Sequence, residues 1–237
     1  MYKAKTTPPG EASPNGMMIV PFGATLLKCT LTDQLVADFN EAIDSAIDNG
    51  NEIDWSHQLV GKVKQEIKIP EDAWMKHVEP LAWIVHNYVE WNINRNKAYH
   101  PNPKMDNTNP EFRVHPTSYW AVRSIAGSFN PVHMHTSCDI SCIGYLQLPE
   151  WEEEIKEDYE DHYPCKGDLE FIAGVPLPFS NHRLKIQPKV GDFYVFPSWL
   201  MHTVYPFLES TGERRSFSVN WSVGKTPESG ISQRVIT

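Results

Sequence analysis

The chain has 237 residues, of which 41% are hydrophobic and 11% aromatic, so its composition allows a sizeable core and excludes a disordered chain. The formal net charge of −9 disfavours nucleic acid as a general partner, because phosphate repels an acidic surface. The sequence has no apolar run approaching the roughly 20 residues that span a membrane, and no N-terminal signal pattern. We therefore expect a cytoplasmic protein that forms one domain over residues 1–237.

The N-terminal segment predicts an arm, a strand and a helix. Residues 1–16 are rich in proline, glycine and small polar residues and predict a flexible arm, whereas residues 17–28 suit a strand. Thr32 is a suitable N-cap for a helix whose apolar residues recur at helical spacing. Asn49 and Gly50 are expected to end this helix.

A second amphipathic helix is predicted from residue 71 to residue 94, with a kink or break at Pro80. The polar segment 92–110 contains three prolines and predicts a loop at the boundary between two parts of the domain. We therefore interpret residues 17–110 as a helix-rich N-terminal support.

The rest of the chain predicts short strands. Runs of β-branched and aromatic residues alternate with turn signals, and the acidic run 150–161 is most simply a solvated excursion. Helices first and strands afterwards predict an α+β, mainly β fold, with an antiparallel core over residues 111–224. The predicted strands are 112–114, 118–126, 139–149, 166–172, 183–188, 192–197 and 214–222.

The cysteine pattern favours a reducing compartment. No two cysteines form a CxxC pair, and Cys138 and Cys142, four residues apart, lie in a β-rich segment with no second pair. We predict that the cysteines are buried free thiols rather than zinc ligands.

Three histidines are candidates for one metal site. His133 and His135 lie two residues apart on a predicted extended segment, so their rings are expected on the same side of a sheet. His202 follows much later and is expected on a distant strand. The best-known arrangement of this kind places two histidines and one carboxylate on a face of iron(II), with positions left open for substrate and oxygen. Because the middle ligand here is a histidine, Asp139, which shares its strand parity, is the alternative to His135.

Four segments, in this order, resemble the iron(II)/2-oxoglutarate-dependent dioxygenases, and more closely an oxygenase family of bacteria and their phages. They are HMHTSC at 133–138, SCIGY at 141–145, a stretch from PKVGD to His202 at 188–202, and ERRSFSVNW at 213–221. The resemblance implies a double-stranded β-helix (jelly roll, cupin-like) core. It also implies an oxygenase that uses Fe(II), 2-oxoglutarate and O2 to hydroxylate a C–H bond, with release of succinate and CO2.

The resemblance assigns further residues to the cosubstrate. The far carboxylate of 2-oxoglutarate needs a buried cation, and the planar guanidinium of arginine suits it with two hydrogen bonds. In the superfamily this arginine follows the distal histidine, often as Arg-x-Ser, which corresponds to Arg214 and Ser216. Tyr145 is a further candidate to donate a hydroxyl to the same carboxylate. Strand alternation puts Arg215 on the opposite face, where we expect a surface role.

Two other functions remain open on the sequence. In one, a cupin-like barrel uses the three histidines for a structural metal and serves as a binding module. In the other, a three-histidine metal enzyme acts on oxygen without 2-oxoglutarate. The Arg-x-Ser placement favours the dioxygenase, because a structural metal would not require it. Its substrate would be a small molecule or a protein side chain, since the superfamily acts on both.

Overall fold

The computed structural model describes residues 17–58, 61–99, 112–150, 167–178, 181–207 and 212–225. The predicted arm 1–16 and most of the acidic run 150–161 lie outside these residues. The described part contains a short 3-10 turn at Ser56–Gln58 and two helices, α1 Asp33–Asp48 and α2 Glu71–Tyr99. Its strands are β1 Met17–Phe22, β2 Ala24–Thr30, β3 Gln65–Lys68, β4 Phe112–Ser124, β5 Asn130–His133, β6 Ile140–Gln147, β7 Leu169–Ile172, β8 Arg183–Ile186, β9 Asp192–Pro197, β10 Met201–Val204 and β11 Arg214–Lys225.

Helix α1 begins and ends as predicted. The Thr32 hydroxyl accepts a hydrogen bond from the Leu35 amide at 3.3 Å, which satisfies one of the free N–H groups of the first turn. At the other end, Gly50 has a φ of 63°, and its N–H donates to the carbonyl of Ile47 at 3.1 Å. This left-handed conformation carries no steric penalty for glycine and ends the helix.

Helix α2 continues through Pro80 and ends at Tyr99, so it has no break at the proline and extends beyond the predicted end at residue 94. Buried side chains on both sides of Pro80, among them Trp74 and Tyr88, pack against the rest of the protein. This tertiary packing compensates for the backbone hydrogen bond that proline cannot donate. The end of the predicted loop, 100–110, lies outside the described residues.

Two antiparallel sheets make up the β structure of the described residues. The larger has the strand order β1-β2-β9-β6-β11-β4-β3, and the smaller has the order β5-β10-β7-β8. Strand β11 pairs with β4 over its whole length and with β6 on its other side. Strand β4 joins two predicted strands, and the register shifts where Trp221 follows Asn220 opposite Pro116. A bulge is expected there, since proline cannot donate to the ladder.

The N-terminal part of the chain contributes strands as well as helices. Strand β2 pairs with β9, and β3 pairs with β4, so both extend the larger sheet. Strand β10 places His202 on a strand distant in sequence from His133, as predicted, although the sequence did not predict the bounds of this strand. It is only four residues long, and its sequence MHTV carries little hydrophobic alternation of its own.

Two apolar clusters define the layers. The first fills the space between the helices and one face of the larger sheet and includes Phe39, Trp74 and Phe217. The second lies between the two sheets and includes Tyr145 and Phe171. The predicted mainly β architecture supported by N-terminal helices is therefore confirmed, and the space between the sheets is available for a site.

The described cysteines are free thiols, as predicted: Cys29 and Cys142 are buried, and Cys138 is partly buried. Cys165 lies outside the described residues. Neither described helix combines the length and apolar character that crossing a membrane requires.

Candidate metal centre

Strand pairing brings the first and last histidines together. His133 is the last residue of β5, and it lies directly opposite His202 of β10 in the smaller sheet. Because directly opposed residues of an antiparallel pair point to the same face, both rings enter the space between the sheets. The pairing of β5 with β10 therefore brings together two histidines that are distant in the sequence.

His135 reaches the same place from a turn rather than from a strand. Its amide donates to the carbonyl of Ser198 at 3.0 Å, and the Ser198 amide donates to the carbonyl of Asp139 at 3.0 Å. The Ser198 hydroxyl adds a hydrogen bond to the carbonyl of Cys138 at 2.8 Å. Ser137 has a φ of 61°, a strained left-handed conformation for a residue other than glycine. Ser198 thus ties the His-x-His turn to the segment that leads to His202.

The three histidines form a metal-sized cluster. One ligand atom from each of His133, His135 and His202 lies within 4.8 Å of the other two. The ring centroids are 4.3 Å apart for His133 and His202, 5.1 Å for His135 and His202, and 5.5 Å for His133 and His135. Across the part of the chain that the structure describes, this is the one group of three or more potential ligands with such a spacing.

Each histidine ring is oriented by a hydrogen bond from its Nδ1 atom. The Nδ1 atom of His133 donates to the carbonyl of Pro131 at 2.7 Å, and that of His202 donates to the carbonyl of Leu200 at 3.0 Å. The Nδ1 atom of His135 donates to Oδ1 of Asn220 at 2.6 Å. Because each Nδ1 carries the proton, each Nε2 has a free lone pair, which is the tautomer that metal-bound histidines adopt.

Burial keeps these imidazoles neutral. It lowers the pKa of His135 to about 4, against the opposing effect of the hydrogen bond to Asn220. Burial also lowers the pKa of His133, and it lowers that of His202 well below the ordinary value. At neutral pH the three rings are therefore uncharged and able to donate electron pairs to a metal.

No carboxylate of the described residues joins the cluster. Asp139, the predicted alternative to His135, is exposed, and its Oδ2 accepts a hydrogen bond from the Val223 amide at 2.7 Å. Glu170, on the strand next to β10, forms an ion pair with Arg183 at 2.6 Å. The donor set that the fold brings together is therefore three nitrogens.

Arg214 lies in the same cavity and has unused hydrogen-bonding capacity. Only 2% of it is exposed, yet no acidic partner for it exists among the described residues. Its Nη1 donates to the carbonyl of Gly167 at 2.9 Å, its Nη2 lies 3.4 Å from the hydroxyl of Ser124, and its Nε has no partner. The Tyr145 hydroxyl is also fully buried without a partner, and burial raises its pKa despite the opposing positive charge of Arg214, so it keeps its proton and can donate.

Strand β11 separates polar from apolar residues by alternation. Arg214 and Ser216 line the cavity together with Ser218, and Asn220 continues the same row to His135. Arg215 points to the other face, as predicted. The predicted surface role is wrong, because Arg215 is 3% exposed and forms ion pairs with Asp44 and Glu213. The helix α1, which supplies Asp44, covers this face.

The cavity has a volume of 40 Å³, which is large enough for a metal ion and a water, whereas a five-carbon dicarboxylate would need its walls to move. A larger groove of 470 Å³ lies between α1 and the start of α2, but none of the three histidines lines it. The residues in and around the small cavity fit a divalent metal and a carboxylate. Three free Nε2 lone pairs share the cavity with Arg214, whose buried Nε lacks an acceptor, and the buried Tyr145 hydroxyl also lacks one.

Sequence reasoning missed three contributors to this site. Asn220 accepts a hydrogen bond from the His135 ring and holds it in place. The role of Ser198 depends on backbone contacts that no spacing rule predicts. Glu66 of β3 lines the cavity with 3% exposure, although its sequence neighbours predict only a short extended piece. The parity of Asn220 with Arg214 was the one signal available in the sequence.

Residues 118–220 match the family described as "Putative 2OG-Fe(II) oxygenase". No curated protein sequence matches the chain. Solved structures with the same fold do match. One is a prolyl-4-hydroxylase from Pseudomonas putida, with 15% identity and a TM-score of 0.53 over 83% of this chain and 92% of that chain.

Two further structures extend this comparison. The α-ketoglutarate-dependent epimerase SnoN of nogalamycin biosynthesis has 13% identity and a TM-score of 0.53 over 87% of this chain and 80% of that chain. A prolyl hydroxylase from Trichoplax adhaerens, solved with a hypoxia-inducible-factor peptide, has 15% identity and a TM-score of 0.50 over 88% and 87%. At these identities the likeness concerns the fold, and it confirms the predicted double-stranded β-helix.

Proposed function

We propose that residues 118–220 form an iron(II)- and 2-oxoglutarate-dependent oxygenase domain whose active centre is the cavity lined by His133, His135 and His202. In this proposal the three Nε2 atoms hold iron(II). The observation that carries it is the convergence of three neutral imidazoles beside a buried arginine whose Nε has no described partner. A metal and a dicarboxylate would satisfy both sets of atoms at once.

Iron(II) and 2-oxoglutarate together supply the oxidant that inserts one oxygen atom of O2 into a C–H bond, while succinate and CO2 are released. The chain supplies position and surroundings. The carbonyls of Pro131 and Leu200 and the amide of Asn220 hold the histidine rings in place. The apolar side chains of the second cluster, which packs beside the cavity, keep bulk water away from the reacting groups.

Arg214, Ser216 and Tyr145 are proposed to bind the far carboxylate of 2-oxoglutarate. The free Nε of Arg214 and the free hydroxyl of Tyr145 are donors without acceptors, and a carboxylate would accept from both. Ser216 lies directly opposite Tyr145 in the sheet, so its hydroxyl belongs to the same row of the inner face. Burial strengthens these hydrogen bonds, since water does not compete for them.

The substrate is proposed to be a small molecule or a protein side chain. The structures that share this fold include a prolyl hydroxylase solved with a peptide and an epimerase of nogalamycin biosynthesis, which supports both classes of substrate for this scaffold. The net charge of −9 disfavours nucleic acid. The free thiols of the described cysteines support a reducing, cytoplasmic location.

The burial of Arg214 also argues against the two alternative functions. A cupin-like barrel with a structural metal, or a three-histidine enzyme that works without 2-oxoglutarate, needs no buried arginine beside the metal. An arginine buried without an acid costs stability, so its presence favours an anionic ligand in the cavity.

The test is turnover of 2-oxoglutarate by the purified protein with iron(II) and ascorbate, measured as succinate. We expect slow turnover without an added substrate, none for His202→Ala, and for Arg214→Met an increase of about 100-fold or more in the KM for 2-oxoglutarate, because a buried charged contact is lost. Arg183→Met is the matched control, since Arg183 is paired with Glu170 outside the cavity and its loss should leave turnover unchanged.

Three results would contradict the proposal. If the metal-loaded protein does not bind 2-oxoglutarate at millimolar concentration, the assignment of the cosubstrate is wrong. If chelation lowers the melting temperature and 2-oxoglutarate has no effect on any property, the metal is structural. Oxygen consumption that needs no 2-oxoglutarate would identify the other type of three-histidine enzyme.

A further inference from the structure

Glu66 is a buried carboxylate in the wall of the metal cavity. It lies on β3 opposite Val122 of β4, which in turn lies opposite Ser216 of β11. Residues in register across a sheet share a face, so Glu66 points to the same side as Ser216. It is 3% exposed, and it lines the cavity together with His133 and His135.

This carboxylate has no counter-ion. Among the described residues, none forms a hydrogen bond or an ion pair with it, and burial, aided by the nearby charge of Asp54, raises its pKa to about 7. Among the described residues, the buried Glu170 is paired with Arg183 at 2.6 Å, and the partly buried Glu213 is paired with Arg123 at 2.7 Å. An unpaired buried carboxylate costs stability, so a compensating partner in the cavity is expected.

The charge balance of the proposed centre identifies this partner. Three neutral histidines contribute no charge to iron(II), whereas the usual pair of histidines with a carboxylate contributes one negative charge. With Arg214 and doubly charged 2-oxoglutarate in place, a three-histidine centre keeps one positive charge without compensation. Apart from the histidines, the cavity is lined by one cationic side chain, Arg214, and one carboxyl group, Glu66, and a bound cation would favour the ionised form of Glu66.

We propose that Glu66 supplies the negative charge that the three-histidine set lacks, as an outer carboxylate that stabilises the bound metal without ligating it. This inference rests on the proposed metal site. Glu66 is not part of the group of ligand atoms that lie within 4.8 Å of one another, so it acts through the electric field of a cavity from which water is largely excluded. It is therefore a positioning residue for the metal rather than a catalytic one.

The proposal predicts changes in binding and stability that differ in direction from those expected for a purely structural role. Removal of the Glu66 charge should weaken binding of a cation in the cavity and strengthen binding of an anion to the metal-loaded protein. It should also leave the metal-free protein as stable as before or more stable, because an unpaired buried charge is removed. A glutamate needed for the fold would instead lower the stability of the metal-free protein.

The experiment compares the wild-type chain with Glu66→Gln, which keeps the shape and removes the charge. Chelator-treated protein is titrated with Mn(II), a redox-stable substitute for iron(II), by calorimetry. We expect the Mn(II) affinity of Glu66→Gln to fall about tenfold, equivalent to about 1.4 kcal/mol. Glu170→Gln is the matched control: it removes a charge from a residue that is 2% exposed but paired outside the cavity, and its Mn(II) affinity should change less than about twofold.

Two further measurements complete the test. The 2-oxoglutarate affinity of the Mn(II)-saturated variant should equal or exceed that of the wild type, and Glu66→Asp should recover part of the Mn(II) affinity. Equal Mn(II) affinity of the wild type and Glu66→Gln would overturn the role of Glu66 and leave the proposed function intact. Failure of the wild type itself to bind Mn(II) would overturn the proposed function, and this inference with it. A lower melting temperature of metal-free Glu66→Gln, without a metal effect beyond that of Glu170→Gln, would assign Glu66 to the fold.

Discussion

Two adjacent arginines of β11 are equally buried and lie in opposite electrostatic surroundings. Arg215 faces the helices, where it forms ion pairs with Asp44 at 2.7 Å and with Glu213 at 3.0 Å. Arg214 faces the cavity, where it donates to the carbonyl of Gly167 and has no acidic partner among the described residues. The same strand thus carries one cation that the fold compensates and one that it does not.

Two glutamates, the partly buried Glu213 and the buried Glu66, differ in the same way. Glu213, on the helix side, is paired with Arg123 and Arg215, whereas Glu66, on the cavity side, has no described partner. Burial alone therefore does not distinguish a binding group from a structural one. The distinction lies in whether the folded chain supplies the partner, because an unpaired buried charge is tolerated where a ligand completes it.

The largest expected effect separates the two arginines by stability. Arg215→Met should lower the free energy of unfolding of the metal-free protein by about 3 kcal/mol, because it removes a buried cation together with its pairs to Asp44 and Glu213 and its hydrogen bond to Asn40. Arg214→Met should change it by less than about 1 kcal/mol, since the cation has no acidic partner to leave behind. Urea denaturation of both variants in the presence of a chelator measures this difference.

A second readout makes this comparison decisive. Folded Arg215→Met should bind 2-oxoglutarate with the wild-type affinity, whereas Arg214→Met should not. Equal losses of stability in the two variants would mean that Arg214 is a structural residue, and the contrast between the two faces of β11 would then be wrong.

The next effect concerns pH and Glu66. The folded-state pKa of about 7 lies above the ordinary 4.5, so the folded protein holds a proton that the unfolded chain releases. The protonated carboxyl of Glu66 therefore favours the folded state. This contribution to stability is fully present below pH 4.5 and is lost as the pH rises through 7. The metal-free protein should therefore lose about 2 kcal/mol of stability from this group between pH 5 and pH 7.

Glu66→Gln isolates this contribution, because a glutamine does not titrate. The difference in unfolding free energy between wild type and variant should grow in favour of the variant as the pH rises, as measured by urea denaturation at a series of pH values. The buried histidines have lowered pKa values and act in the opposite direction, but they are present in both proteins and cancel in the difference. A difference that does not depend on pH would contradict the raised pKa of Glu66.

Helical periodicity and end signals in the sequence predict α1 to the residue, because Thr32 and Gly50 act through local hydrogen bonds. Local signals predict less where tertiary contacts decide. Helix α2 passes through Pro80 because its buried face is held by packing, and β10 has too few residues to show a period. The N-terminal strands β2 and β3 join the larger sheet through partners that are distant in sequence.

The residues of the site also differ in whether local sequence patterns or tertiary contacts determine them. The three histidines and Arg214 were accessible from motif spacing, and strand parity placed Arg215 on the opposite face. Parity could not reveal that α1 buries Arg215, since Asp44 lies 171 residues earlier in the chain. Glu66 was equally invisible, because its place in the cavity depends on the register of β3 against β4.

The smallest expected effect tests whether cavity-side polar groups act on the metal through its ligands. Asn220 accepts from Nδ1 of His135 at 2.6 Å and from the Ser141 hydroxyl at 3.0 Å, so Asn220→Ala frees the His135 ring to rotate. Loss of such an outer hydrogen bond reduces metal affinity by about tenfold, and Asn220→Asp, which keeps an acceptor, should recover most of it. Titration with Co(II), followed by its visible absorption, measures both the affinity and the geometry of the site.

Ser141→Ala is the control, because it removes a neighbour of Asn220 but leaves the bond to His135 in place. If Asn220→Ala and Ser141→Ala bind Co(II) equally, Asn220 does not position His135. The polar residues of β11 would then contribute to binding of the cosubstrate but not of the metal.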